Sequence, residues 1–98
     1  MPVTYVMEFE NLDEQQYRAV LQRLGVAEQA GEGILHHSAG PTQDGRWMVV
    51  DVWETEAASE APSFYDQILP NVMAEMGLPA PRRIDAFDAR EVRNVRAT

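Results

Sequence analysis

The chain of 98 residues has no cysteine and no lysine, and only two histidines. Without cysteine there is no thiolate nucleophile, no disulfide framework, no iron–sulfur cluster and no thiolate zinc site. Without lysine there is no Schiff-base chemistry. His36 and His37 are consecutive on a β-like run, so their side chains point to opposite faces and cannot share one metal. No metal is therefore expected, and no cofactor is called for. The G-x-S-x-G, G-x-G-x-x-G, Walker and H-E-x-x-H patterns are all absent. No apolar run approaches the roughly 18 residues that span a bilayer, and no basic stretch followed by an apolar one opens the chain. The expectation is a soluble, cytoplasmic protein with no membrane partner, which the lack of cysteine also suits.

What is present is the composition of one ordinary globular domain, 45% hydrophobic and 24% charged, covering residues 1–98 with a polar tail at 93–98. Sixteen carboxylates against eight arginines give a formal charge of −8, the wrong sign for a phosphate backbone, so no nucleic-acid partner is expected. The charge is uneven: every charged residue between positions 54 and 75 is acidic, whereas five of the eight arginines lie beyond position 81. Such runs are read first as solvated faces. A domain this small has little area for a deep private pocket, so a partner is expected to complete any pocket.

Residues 3–9 alternate with β-favouring side chains and predict a strand. Asp13 with Gln16 makes a capping box, Leu12 with Tyr17 a hydrophobic staple, and Tyr17, Val20, Leu21 and Leu24 an apolar stripe closed by Gly25, which together predict a helix. A loop at residues 29–33 leads to a second strand at 34–39. The turn-rich segment 40–45 predicts an antiparallel hairpin with a third strand at 46–53. Met48, Val50 and Val52 give that strand an aliphatic face, and Trp47, Val49, Asp51 and Trp53 an aromatic and polar one. A short helix at 56–61, interrupted by Pro62, precedes a longer one from 63 to 76. Ser63 and Asp66 form its capping box, Tyr65, Ile68, Leu69, Val72 and Met76 its stripe, and Pro70 is expected to kink it near the middle. A last strand at 83–92 follows.

Strand, helix, strand, strand, helix, strand is the split βαβ order: an α+β, ferredoxin-like four-stranded antiparallel sheet with both helices on one face. If the helices leave the Trp47 and Trp53 face uncovered, a monomer would expose it, and a homodimer is the economical remedy.

The run from Val49 to Ala58, a strand ending in Trp53 followed by Thr55 and an alanine-containing helix, together with the proline-interrupted second helix and the segments 33–42 and 45–47, resembles the dimeric α/β-barrel superfamily. Within it the chain is most similar to antibiotic biosynthesis monooxygenase domains, over residues 3–95. The resemblance implies a homodimer whose sheets pack face to face into a barrel. It also implies a cavity for a small apolar or aromatic molecule, and activity ranging from cofactor-independent oxidation of polycyclic aromatic polyketides to no known activity. Haem-degrading relatives take an axial histidine from the second helix, and residues 56–76 contain none. Residues 58–64 also depart from the family's uninterrupted amphipathic turn.

With the hairpin centred near Gln43, Leu35, His37 and Ala39 share a face with Trp47, Val49, Asp51 and Trp53. Leu35 would then lie opposite Asp51, with His37 as its diagonal neighbour. A partly buried histidine beside a carboxylate is held in one tautomer and gains basicity, as a general base requires. The expected site therefore has His37 as proton acceptor, Asp51 as its orienter, Trp47 and Trp53 bracketing a flat substrate, and Tyr5 as a further wall. A one-residue slip would substitute His36 for His37. Glu8 has no assigned role, and the methionines Met7, Met48, Met73 and Met76 are read as gap fillers. The rival expectation is a non-catalytic ligand-binding or dimerisation module whose His–Asp pair only specifies an interface.

Overall fold

The computed structural model describes residues 1–25, 33–60 and 64–93. Strands β1 (Val3–Phe9), β2 (Ile34–Pro41), β3 (Trp47–Trp53) and β4 (Arg82–Asp88) form one antiparallel sheet in the order β2-β3-β1-β4. The helices are α1 (Glu14–Leu24), the short α2 (Glu56–Glu60) and α3 (Leu69–Glu75), the last preceded by a π-helical turn at Phe64–Ile68. This is the α+β ferredoxin-like arrangement, with the first and second crossover helices on one face of the sheet.

Helix α1 begins where its local chemistry says it must. The Asp13 carboxylate accepts from the Gln16 backbone N–H at 2.7 Å, and the Gln16 side chain accepts from the Asp13 N–H at 3.0 Å. Leu12 and Tyr17 are both buried in the core, so the staple forms as expected. Gly25 closes the helix at φ 66°, a left-handed conformation that suits glycine.

The core lies between the helices and the face of β1 and β3 that carries Phe9, Met7, Val49 and Trp47, packed on Tyr17, Val20, Leu69 and Met73. A second cluster of Val3, Tyr5 and Trp53 occupies the other end of the same face. The helices therefore cover the tryptophan face. The open face is the aliphatic one, with Met48, Val50 and Val52 beside Thr4 and an exposed Phe87. The expectation of tryptophans left for a partner is corrected accordingly. An alternating strand shows that both its faces are apolar, but not which one the helices select.

Element boundaries also differ. The final strand ends at Asp88, and Ala89 leaves it by donating its N–H to the Pro2 carbonyl at 2.8 Å. The expected 63–76 helix is a π-turn running into α3, and Ser63 and residues 29–32 of the expected loop lie outside the described residues. Pro70 stands at the start of α3, directly after the π-turn, so the change of helix type falls near the middle of the expected helix. Of the expected stripe, Leu69 is buried and Tyr65, Val72 and Met76 pack against the core, whereas Ile68 is exposed; Met73, read as a gap filler, is fully buried.

Candidate active site

The hairpin closes on Thr42 and Arg46, where the Thr42 N–H donates to the Arg46 carbonyl at 2.8 Å, so it is centred on Asp44 rather than Gln43. Moving the centre by a whole residue keeps odd positions opposite odd positions, and the faces survive. The pairing itself changes. His37 lies directly opposite Asp51, while Leu35 sits at a bulge between Ile34 and His36 and does not face Asp51. Beyond the bulge the alternation is reversed, and Ile34 packs with Trp53 on the helix side.

His37 and Asp51 meet on the helix face. His37 Nδ1 donates to Asp51 Oδ1 at 2.5 Å, which leaves Nε2 as the acceptor of the neutral ring, and the Tyr17 hydroxyl lies 2.5 Å from it. The other Asp51 oxygen, Oδ2, accepts from the Tyr65 hydroxyl at 2.7 Å, and the Tyr65 oxygen accepts from Trp53 Nε1 at 2.7 Å. One continuous chain, Tyr17–His37–Asp51–Tyr65–Trp53, thus runs from α1 across β2 and β3 to the π-turn. Asp51 is buried, and the His37 side chain is 36% exposed. The hydrogen bond that His37 donates to Asp51, aided by the Asp51 charge and opposed by burial, raises the His37 pKa above 6.5. Burial, and then the Asp51 charge, push both tyrosines to higher pKa.

Tyr65 also lines a cavity of 130 Å³ on the helix face, bounded by Tyr5 of β1, Ser59 of α2 and Arg83 of β4. Tyr5 meets the edge of the Tyr65 ring at 5.3 Å and its hydroxyl pairs with Ser59 Oγ at 2.9 Å, which in turn donates to the Glu56 carbonyl. The π-turn is what carries Tyr65 over Asp51 and Trp53 at once, a use such turns often have at functional sites.

Of the residues singled out from the sequence, His37, Asp51, Trp53 and Tyr5 thus gather around Tyr65. Trp47 does not join them. It lies six residues along β3 from Trp53, about 20 Å of strand, too far for the two indoles to bracket one ring. Its ring packs on Tyr17 at 4.9 Å, and its Nε1 is buried without a hydrogen-bond partner among the described residues. His36 is on the open face opposite Val52, where it lines a 290 Å³ groove with Thr4, Val50 and Phe87. Glu8 is also on that face, buried between Arg46 at 3.1 Å and Arg82 at 3.3 Å. Sequence reasoning missed the parts played by Tyr17, Tyr65 and Arg83. The tyrosines were legible only as stripe residues, and nothing local marks the arginine. Among the described residues no cluster of three metal-ligating side chains occurs, and no helix is long and apolar enough to cross a membrane.

The fold is an α+β ferredoxin-like sheet that carries this buried polar chain on its helix face. The chain is similar to SnoaB, a cofactor-independent oxygenase from Streptomyces nogalater, at 21% identity and a TM-score of 0.64, covering 93% of this chain and 95% of that one. It is likewise similar to Rv0793 from Mycobacterium tuberculosis, at 16% identity and a TM-score of 0.62 over 98% of this chain and all of that one. A protein from Deinococcus radiodurans, provisionally named an antibiotic biosynthesis monooxygenase, matches at 14% identity and a TM-score of 0.60, covering 99% of this chain and 100% of that one. No family model matches the sequence, and no curated protein does. Likeness at these identities establishes the fold.

Proposed function

We propose that this protein is a cytoplasmic, homodimeric α/β-barrel monooxygenase that oxidises a small aromatic or polyketide-like molecule without a cofactor. The observation that carries the reading is the Tyr17–His37–Asp51–Tyr65–Trp53 chain, because a buried carboxylate held by an imidazole and a phenol can store one proton beside a cavity. Both ring nitrogens of His37 are engaged, so the substrate meets the chain at Tyr65, the member that lines the cavity. An acidic C–H of the substrate loses its proton to the Tyr65 oxygen while the Tyr65 proton moves to Asp51 Oδ2. His37 Nδ1–H holds Oδ1 throughout.

The resulting carbanion gives electrons to dioxygen and forms a C–O bond, leaving a peroxide. The stored proton returns to the outer peroxide oxygen. Loss of the second C–H proton and cleavage of the O–O bond then yield a ketone and water, so the substrate is oxidised from CH2 to C=O and dioxygen is fully reduced.

A second copy covers the open face in this reading, supported by the contiguous Val50, Val52 and exposed Phe87. Native mass spectrometry should find a dimer that Phe87→Glu dissociates. The catalytic test is oxygen uptake with dithranol, an anthrone with an acidic CH2. Asp51→Asn and Tyr65→Phe should each slow uptake by about 100-fold or more, and a folded Asp51→Asn variant with the wild-type rate would refute the mechanism. One observation favours the second reading, a non-catalytic ligand-binding or dimerisation module: both His37 nitrogens already have partners, as in a satisfied structural network. Wild-type protein that leaves dithranol to its spontaneous oxidation would support that reading.

A further inference from the structure

The β1–β4 ladder contains an irregularity whose effect is to change the face on which one side chain lies. From Asp88 backwards the pairing is regular, with Phe87 opposite Thr4 and Asp85 opposite Val6, both on the open face. The register then shifts between Val6 and Met7, Ile84 becomes the extra residue, and Arg83 pairs with Met7 on the helix face. Continued alternation would have set Arg83 beside Glu8, where Arg82 now stands. Bulges of this kind re-aim side chains next to functional sites.

The re-aimed guanidinium carbon lies 3.9 Å from the Tyr5 ring centroid and 5.6 Å from that of Tyr65. Arg18, Arg23, Arg46, Arg82 and Arg93 each pair with a carboxylate, whereas Arg83, like Arg90, makes no ion pair or hydrogen bond among the described residues. Arg83 is exposed to solvent, lines the cavity, and is the one cation among its described lining residues. Contact with the Tyr5 face holds a guanidinium in place without consuming its N–H donors. The other ionisable groups at the cavity besides the tyrosines are Glu56, Glu60 and Asp66, all exposed.

We infer that Arg83 is the group that binds the substrate's anionic oxygen, and that the site takes a neutral weak acid, a phenol or enol, in preference to a preformed carboxylate. This deepens the proposed function and rests on it for the chemistry. Three carboxylates within a Debye length of the cavity oppose the entry of an anion but not of a neutral molecule. Once the substrate is ionised inside, its charge develops on an enolate or phenolate oxygen, against Arg83. Interactions that strengthen as charge develops are those that favour reaction over binding.

The test uses para-nitrophenol, whose ionisation is visible in its absorbance, and para-nitrobenzoate, its permanently anionic counterpart. Wild-type protein should bind para-nitrophenol and make its ionisation about tenfold more favourable, a fall of about one pH unit. Para-nitrobenzoate should bind about tenfold more weakly or worse. Arg83→Met should abolish the shift, Arg83→Lys should retain part of it, and Arg82→Gln, on the open face, should leave it intact. Circular dichroism confirms that each variant is folded, and Arg83→Lys serves should Arg83→Met fail to fold.

The inference is overturned if para-nitrobenzoate binds as well as para-nitrophenol, if the shift survives Arg83→Met, or if para-nitrophenol does not bind. The expected shift without dithranol oxidation would refute the oxygenase reading while leaving the anion site standing. Dithranol oxidation unchanged by Arg83→Met would overturn the anion site and leave the oxygenase reading in place.

Discussion

Asp51→Asn perturbs the centre of the polar chain while leaving its shape almost unchanged. The carboxylate accepts from two donors, His37 Nδ1 at 2.5 Å and the Tyr65 hydroxyl at 2.7 Å, with its side chain 7% exposed. An amide offers one acceptor oxygen and one NH2 group, so with the imidazole in its present tautomer at least one of the two donors faces another donor. Leaving one buried partner unsatisfied costs about 2 kcal/mol, and for a domain of this size that lowers Tm by about 8–16 °C.

The cost depends on pH with a definite sign. Asp51 raises the pKa of His37 above 6.5, so the stabilisation from protonated His37 is fully present below 6.5 and is lost as pH rises through the higher folded value. Because His37 is over a third exposed, solvent screening limits this increment to about 1 kcal/mol or less. Urea unfolding of both proteins at about pH 6 and about pH 9 should therefore show the larger difference at the acidic end. NMR titration of the imidazole should show the His37 pKa falling in the variant. Parallel pH dependences in the two proteins, or an unchanged His37 titration, would refute the reasoning.

Two stability predictions concern packing. Met73 is 1% exposed under the sheet, so Met73→Ala should cost about 2–4 kcal/mol in urea unfolding. A loss below about 1 kcal/mol would mean that the α3 contact is not as tight as described. Gly33 has φ 91°, and a Cβ there would lie 2.6 Å from the Ala58 Cβ. Gly33→Ala should thus destabilise by about 2 kcal/mol or more, by strain and by pushing α2 from β3, whereas a Tm within about 2 °C of wild type would contradict that contact.

The extent to which the site was legible follows the range of the interactions involved. The start of α1 was readable because its capping box and staple involve residues within five positions of one another. The meeting of His37 and Asp51 was nearly readable, since a hairpin is a local structure and an error of one residue in its centre preserves the faces. Tyr65 was readable as part of a stripe but not as a partner of Asp51. Its position depends on a π-turn, which no local pattern in the sequence marks. Arg83 was not readable at all, because a bulge between distant strands leaves no mark on either strand.

By itself the sequence determined the order of the elements, the ferredoxin-like topology, the shared face of His37 and Asp51, and the exclusion of thiol and Schiff-base chemistry. Each rests on composition, on a repeat of 2 or 3.6 residues, or on contacts a few positions apart. The tertiary structure alone decided that the helices cover the tryptophan face and leave the aliphatic one open. It also decided that Trp47 packs on Tyr17 in the core, that Tyr17 and Tyr65 extend the His37–Asp51 pair, and that Arg83 lies over the Tyr5 ring. Those choices are made between elements far apart in the chain, where the competing packings differ by the fit of whole surfaces and not by the preference of any one segment.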